Sequence, residues 1–310
     1  MPLNVSEIPA LTSESRLNAK AVGLMAGWGE YPVIVARSLK RQGYKVIGVG
    51  IKGHADPALA QECDAFTMGP IAKVGMAIRF FKQHQVEHIT FAGKIHKVQY
   101  FRKFAWLDYI PDRATLRMFW DFMITKKKDR KDDTFLLAFV NLFERHGISV
   151  LPATHFAPEL LMQEGNLTGF KISKSQQLDI SFGWELAKQM GGLDVGQTVV
   201  VKNQAVLAVE AVEGTDLCIQ RAGELCKQGG FTVIKVAKPQ QDSRFDVPAI
   251  GVGTLESIKD AGGSCLAVEA GHTIIINEAD VIEYARKNKI TVVALKAGEL
   301  TAHADQRDAA

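Results

Sequence analysis

The sequence has 310 residues, 47% of them hydrophobic and 23% charged, which is typical of a globular protein with enough chain for two domains. Its formal net charge of +3 is too small to indicate a nucleic-acid partner. No apolar stretch is long enough to span a bilayer, and the amino-terminal segment lacks the basic and apolar pattern of a secretory signal. We therefore expect a cytoplasmic protein that binds no nucleic acid.

Several familiar kinds of catalytic site are missing from the sequence. The eight histidines show no HExxH pairing, and there is neither a GxSxG elbow nor a GxxxxGK[ST] loop. These absences argue against zinc hydrolases of the HExxH type, serine hydrolases and P-loop NTPases. The cysteines have no CxxC or zinc-finger spacing and are expected to be reduced thiols: Cys63, Cys218, Cys226 and Cys265.

The first half of the chain alternates apolar strands with amphipathic helices. This alternation predicts a parallel, Rossmann-like sheet. The expected strands are 21–26, 44–49, 88–92 and 149–151, and the expected helices are 32–39, 71–84, 115–125 and 132–146.

The second half predicts a mixed α/β domain, because two pairs of strands are expected to form antiparallel hairpins. The hairpins are 198–202 with 205–212, and 265–269 with 273–276. A helix from the N-cap Ser173 to Met190, helices 217–227 and 278–287, and strands 232–236 and 291–295 complete this half.

We place the domain boundary in the irregular stretch between Pro152 and Thr168. The prediction is a Rossmann-like N-terminal domain at 20–152 and a mixed α/β catalytic C-terminal domain at 168–298. Residues 1–19 and 299–310 are polar and are expected to be flexible tails.

Glycine turns follow two strands of the first domain. Gly27-Trp28-Gly29 precedes a helix, whose free N–H groups and dipole favour phosphate, and Gly93-Lys94 can add a cation to the same crevice. The alternative is a pair of tight turns that need glycine for backbone reasons. Pro32 occupies the third glycine position of a dinucleotide fingerprint, so the fingerprint is incomplete.

Two charged turns follow apolar strands of the second domain. The first carries Glu210, Glu213, Thr215 and Asp216, and the second carries Lys235, Lys238, Gln241, Asp242, Arg244 and Asp246. Carboxylates beside cations at the carboxyl ends of strands suit phosphate chemistry with a divalent cation. The alternatives are that Thr215 or Asp216 caps a helix and that the second turn carries solvated ion pairs.

The segment from Tyr100 to Trp106 alternates aromatic and basic side chains. It can meet acyl chains or a membrane surface, or it can be a buried connection between helices.

Six sequence motifs carry a resemblance to a known family. In order they are MAGWGEYP, FAGK, LDVGQTVVV, VLAVEAVEGTD, VIKVAKPQQDSRFDVPAIG and GHTIII, and together they span most of Lys20 to Leu295. The chain resembles the LpxI-type UDP-2,3-diacylglucosamine pyrophosphatases. The likeness is densest between Ala205 and Gly251, whereas Trp28 stands where a glycine is usual.

The resemblance implies a two-domain enzyme of lipid A biosynthesis with its active site between the domains. Such an enzyme hydrolyses UDP-2,3-diacylglucosamine to UMP and 2,3-diacylglucosamine 1-phosphate with a divalent cation, usually Mg²⁺. The family's key aspartate falls on Asp246, and Asp216 is the second candidate; both are the expected metal ligands. Lys238 and Arg244 are the expected catalytic cations. The remaining residues are the expected substrate contacts: Gly27, Gly29, Gly93, Lys94, Thr215 and Gln241.

The sequence leaves open a homodimer and peripheral contact with the cytoplasmic face of the inner membrane. Two other functions also stay open. A nicotinamide oxidoreductase would use the Rossmann-like domain, although the broken fingerprint counts against it. A non-catalytic nucleotide-sugar sensor would bind UDP-sugars without releasing UMP.

Overall fold

The computed structural model describes residues 21–95, 111–117, 132–244 and 247–296, which form two compact units. Unit 1 contains the described residues up to Pro158 together with 242–244, and unit 2 contains 159–241 and 247–296. The expected tails and the Tyr100–Trp106 segment lie outside the described residues, so the role expected for that segment stays a prediction. Within the described ranges, no helix is long and apolar enough to cross a membrane.

Unit 1 is built on a five-stranded parallel sheet with the order β3-β2-β1-β4-β5. Its strands are β1 Ala21–Ala26, β2 Lys45–Ile51, β3 Ala65–Gly69, β4 His88–Ala92 and β5 Ser149–Val150. Its helices are α1 Tyr31–Arg41, α2 Val74–Gln83, α3 Asp132–Arg145 and α4 Ala153–Phe156, with a 3₁₀ helix at Pro57–Glu62 and a helical turn at 113–117. Helix α1 packs against β1, β2 and β4, while α2 and α3 pack together on a core that includes Ile47, Val49 and Ile89.

Unit 2 contains a six-stranded sheet with the order β6-β13-β11-β9-β7-β8 and a separate parallel pair, β10 and β12. Its strands are β6 Gly165–Asn166, β7 Thr198–Lys202, β8 Ala205–Val209, β9 Thr232–Lys235, β10 Ala249–Ile250, β11 Cys265–Glu269, β12 Ile274–Ile275 and β13 Thr291–Leu295. Its helices are α5 Lys174–Gly192, α6 Thr215–Leu225, α7 Val252–Asp260 and α8 Glu278–Lys287.

Helices cover both faces of the unit 2 sheet, and alternation along each strand divides the side chains between them. On β9, Ile234 packs with Trp184 of α5, whereas Val233 packs with residues of α6, α7 and α8. Lys235 follows Ile234 and lies on the α6 face, where its Nζ contacts Thr215. Glu269, two residues after Ala267 of the α5-facing core, contacts Lys188 of α5.

The α/β fold class is confirmed, with a Rossmann-like parallel sheet in unit 1 and a mixed sheet in unit 2. The hairpin across Asn203-Gln204 forms as predicted between β7 and β8. Ser173 caps α5 in a capping box with Gln176.

The second predicted hairpin is wrong. β11 pairs in parallel with β9 and β13, and β12 pairs in parallel with β10 in the other sheet. All five residues of β11 are buried, which is the pattern of a central parallel strand rather than of a half-exposed hairpin strand. Strand β3 and helix α7 were not expected from the sequence.

Candidate functional site

The two glycine turns of unit 1 meet at the carboxyl ends of neighbouring strands. Gly27 follows β1 and Gly93 follows β4, and the strand order reverses between these two strands. Gly27 N–H donates to the Ala92 carbonyl at 2.8 Å, while Trp28 and Lys94 exchange two backbone hydrogen bonds of 2.8 and 3.0 Å. Ligands of open α/β sheets bind at such a reversal point. The structure thus brings together Gly27, Gly29, Gly93 and Lys94.

The glycines of these turns have different reasons to lack a side chain. Gly93 has φ +94°, and a Cβ there would lie 2.8 Å from the carbonyl carbon of Gly27, so it is required for packing. Gly29 has φ +103° and open space around it. The need for glycine in a tight turn therefore explains Gly93. The turn around Gly29, in contrast, leaves room for a ligand beside the start of α1.

A cluster of polar side chains lies at the carboxyl edge of the unit 2 sheet and is centred on Thr215. Lys235 Nζ donates to Thr215 Oγ1 at 2.9 Å, and Thr215 Oγ1 donates to Glu210 Oε1 at 3.0 Å. Thr198 Oγ1 lies 3.4 Å from the same hydroxyl. We call these four residues the Thr215 cluster. Its hydroxyls and ammonium group can bind phosphate oxygens.

The structure excludes the capping role considered for Thr215 and Asp216. The N-cap of α6 is Gly214, with φ +86°, and no side chain caps the helix. Thr215 occupies the first helical position and uses its hydroxyl in the cluster. Because its backbone lies in the first turn of α6, the positive end of the helix dipole faces the same edge.

Burial of the charged side chains of the Thr215 cluster costs free energy unless hydrogen bonds or opposite charges compensate for it. Lys235 is 6% exposed and Glu210 is 7% exposed. The second carboxylate oxygen of Glu210, Oε2, is buried and has no hydrogen-bond partner among the described residues. An unsatisfied buried carboxylate oxygen is unfavourable, so a further hydrogen-bond donor is expected beside it.

The predicted cation Lys238 pairs with the carboxylate of Asp194. Its Nζ lies 2.7 Å from Asp194 Oδ1. Its backbone N–H donates to Gln241 Oε1 at 2.9 Å, and Gln241 Nε2 lies 3.5 Å from Gln197 Oε1. Lys238 and Gln241 thus hydrogen-bond to each other and connect their turn to Asp194 and Gln197.

Arg244 is also paired locally. Its guanidinium bonds Asp242 through Nε at 2.9 Å and Nη2 at 2.6 Å. These hydrogen bonds raise the pKa of Arg244, so the guanidinium stays charged at neutral pH. Arg244 is 8% exposed, and its Nη1 also lies 3.5 Å from Glu144 Oε1.

The structure describes one of the two predicted metal ligands, Asp216. Asp246 lies outside the described residues. Asp216 is exposed on the first turn of α6, where Ser257 Oγ donates to its Oδ1 at 3.3 Å. In the described part of the chain, no group of three or more His, Cys, Asp or Glu side chains could hold a metal ion. Mg²⁺ in phosphate chemistry commonly takes one or two carboxylates and completes its shell with substrate oxygens and water. Asp216 fits such an open site as a single ligand.

Sequence reasoning missed the pairing of Lys188 with Glu269 and the central place of Glu210 and Lys235. Nζ of Lys188 lies 2.6 Å from Glu269 Oε2. A charged residue at the end of a wholly buried strand was the available signal for both Lys235 and Glu269. Nothing local to Lys188 distinguishes it from a solvated helix lysine.

Comparisons with known proteins agree with this architecture. The family model described as the LpxI N-terminal domain matches residues 21–160, and the model of the LpxI C-terminal domain matches 163–293. The chain is 28% identical over 274 residues to the UDP-2,3-diacylglucosamine pyrophosphatase LpxI of Caulobacter vibrioides, covering 86% of this chain and 94% of that protein.

Among solved structures, a biotin carboxylase domain of Hydrogenobacter thermophilus 2-oxoglutarate carboxylase is similar at 14% identity and a TM-score of 0.24, over 67% of this chain and 41% of that one. That likeness is too weak to inform fold or function. The two domain models match in order along nearly all of the chain that the structure describes. The chain therefore belongs to the LpxI family.

Proposed function

We propose that this protein hydrolyses the pyrophosphate bond of UDP-2,3-diacylglucosamine to UMP and 2,3-diacylglucosamine 1-phosphate, a step of lipid A biosynthesis. The observation that carries this proposal is the match of both LpxI domain models, at 21–160 and 163–293, together with the name of the Caulobacter relative. The Thr215 cluster supports it because a buried ammonium group and hydroxyls suit a diphosphate.

In this proposal, Lys235 is the main protein cation of the reaction. Its ammonium group is held on the Thr215 hydroxyl at 2.9 Å, beside the first turn of α6. A cation held in a buried setting stabilises developing negative charge on phosphate oxygens without costly reorganisation. Lys238 and Arg244 take supporting roles, because Asp194 and Asp242 already neutralise them.

Asp246 is the proposed residue that orients the attacking water and accepts its proton, following the motif that carries the family resemblance. Asp216 and Asp246 are the proposed ligands of Mg²⁺. When bound, Mg²⁺ would neutralise charge on the pyrophosphate.

The turns of unit 1 are proposed to contribute to binding the nucleotide-diphosphate part. The open turn at Gly29 and the exposed Lys94 offer an anion backbone N–H groups and a positive charge.

The direct test is a UMP-release assay with purified protein, authentic UDP-2,3-diacylglucosamine and Mg²⁺. We expect UMP and the lipid phosphate in equal amounts, and much less UMP from unacylated UDP-glucosamine. A folded protein that binds the substrate but releases no UMP would instead be a sensor. A change in nicotinamide fluorescence on binding would favour the oxidoreductase.

Removing divalent cations is expected to abolish turnover. An excess of chelator should stop UMP release, and added Mg²⁺ should restore it, since protein cations alone leave much of the pyrophosphate charge unbalanced. Thermal melting in chelator is the control for unfolding. Full activity in an excess of chelator would show that turnover needs no divalent cation.

Lys94→Met is expected to raise KM about three- to tenfold with little change in kcat, since one exposed cation contributes on the order of 1 kcal/mol to binding an anion. Lys94 suits this test because its backbone makes the contacts with Trp28, and these survive the substitution. Gly29→Val should also weaken binding, but its φ of +103° adds backbone strain to any side chain.

Lys45→Met is the matched control for Lys94→Met. Lys45 is an exposed lysine at the opposite, amino end of the same sheet, on β2. Equal KM values for the two variants would limit the glycine turns to an architectural role.

A further inference from the structure

A buried carboxylate and a half-buried ammonium group meet on the α5 face of the unit 2 sheet. Glu269 ends β11 and is 6% exposed, and Lys188 lies on α5. Nζ of Lys188 lies 2.6 and 2.8 Å from the two carboxylate oxygens of Glu269. Neither residue touches the Thr215 cluster in the described contacts, so the proposed chemistry gives them no direct part.

Both members of this pair also bind the backbone of Ala237. Ala237 N–H donates to Glu269 Oε2 at 2.8 Å, and Lys188 Nζ donates to the Ala237 carbonyl at 2.9 Å. Both polar groups of one peptide residue are therefore held by full charges, and charge-assisted hydrogen bonds are stronger than neutral ones. Ala237 stands between Lys235 and Lys238, at the start of the charged turn.

The same side of α5 supports the next residue as well. A Cβ at Gly191 would lie 3.2 Å from the Cα of Lys238 and 3.3 Å from Cδ of Pro239, so the helix packs directly on the turn. Asp194, just after the helix, pairs with the Lys238 ammonium group at 2.7 Å. Residues 188, 191 and 194 thus follow one another at three-residue spacing along the turn.

We propose that Lys188 and Glu269 are positioning residues, which hold the backbone from Lys235 to Gln241 in the conformation that the reaction needs. This inference rests on the proposed function for its kinetic part. If the pair only stabilised the fold, its neutral replacement should lower Tm and leave the kcat of the folded protein unchanged. A buried ion pair contributes little net stability compared with neutral groups of similar size, so a neutral replacement of both residues should fold.

The kinetic test compares E269Q and the neutral double variant K188M/E269Q with a matched control, D179N. Asp179 is 3% exposed, lies on the same helix and accepts a hydrogen bond from the backbone N–H of Gln204 at 2.6 Å. Gln204 lies in the β7–β8 turn, at the other end of β7 from Thr198. D179N thus makes the same change, a buried carboxylate to an amide, at the opposite edge of the sheet.

We expect the folded K188M/E269Q variant to lose about 10- to 100-fold in kcat with KM within about threefold, because small displacements of reacting groups carry losses of this size. D179N should lower Tm and leave kcat unchanged. Unchanged kcat in the folded double variant would overturn the inference.

Amide hydrogen exchange gives a second readout that does not depend on activity. The Ala237 amide should exchange faster in E269Q and in the double variant, because an amide oxygen accepts its hydrogen bond more weakly than a carboxylate does. The Gln204 amide should keep its wild-type rate in both variants. In D179N, the Gln204 amide should exchange faster and the Ala237 amide should keep its rate. Failure of the wild type to release UMP would contradict the proposed function but not the positioning role, which hydrogen exchange tests separately. Slow Ala237 exchange in the folded variants would overturn the positioning role by itself.

Discussion

Asp246→Asn is expected to lower kcat by about 100-fold or more, the usual scale for a residue that acts as a general base or orders a reacting group. The substitution keeps the size of the side chain and removes its charge, so in the proposed function the water loses a proton acceptor and Mg²⁺ loses a ligand. Steady-state UMP release, with KM determined separately, measures the effect.

The comparison for Asp246→Asn is Asp216→Asn. Asp216 is exposed and already accepts a hydrogen bond from Ser257, so an amide there keeps that contact and tests the metal-ligand role alone. Thermal melting checks that both variants fold. A wild-type kcat for Asp246→Asn would move the catalytic role to Asp216 or elsewhere.

Lys235→Met is expected to lower kcat/KM by about 100-fold or more, as the removal of a buried group that stabilises transition-state charge commonly does. The substitution also leaves the Glu210 carboxylate without the nearby ammonium group, so a lower Tm should accompany the loss. The measurement is kcat/KM for UMP release, below the Tm of the variant.

Lys202→Met is the matched control for Lys235→Met. Lys202 ends β7 at the opposite edge of the same sheet, and its Nζ donates to the Gly229 carbonyl. Lys202→Met also removes the contact of a partly buried lysine, so it should carry a similar stability cost. Lys202 has no role in the proposed chemistry. Similar kcat/KM losses in both variants would show that stability, not charge at the Thr215 cluster, explains the effect.

Features with local sequence signals could be predicted. The tight turn after β1 and the start of α1 follow from Gly29 and Pro32, and Pro32 lies in the first turn of the helix as expected. The β7–β8 hairpin follows from Asn203 and Gln204, which adopt left-handed φ values of 51° and 59°. Each of these signals is contained in a few neighbouring residues.

Pairing between distant strands could not be predicted. The run Cys265–Glu269 and the following Ala270-Gly271-His272 look like one arm and the turn of a hairpin. The partners of this strand are in fact β9 and β13, on either side of it in the sheet. Whether an apolar strand pairs with its neighbour in sequence or with distant strands depends on the packing of the whole unit.

The candidate site shows the same limit. The sequence singled out Thr215, but pattern reasoning could not choose between a helix cap and a ligand group. The partner of the Thr215 hydroxyl, Lys235, comes from strand β9, twenty residues further along the chain, and local patterns do not reveal such a contact. Lys188 and Glu269 are likewise joined only by the fold, through α5 and β11.

The position of β6 constrains the order in which unit 2 can form during synthesis. β6 comes first in the sequence of the unit, yet its pairing partner among the described strands is β13, the last strand. The other strands join in sequence order: β7 with β8, then β9 on β7, β11 on β9 and β13 on β11. Each of these additions can begin while the ribosome is still at work. The pairing of β6 must wait until β13 has emerged, so the newly made chain carries its first strand unpaired until the unit is almost complete.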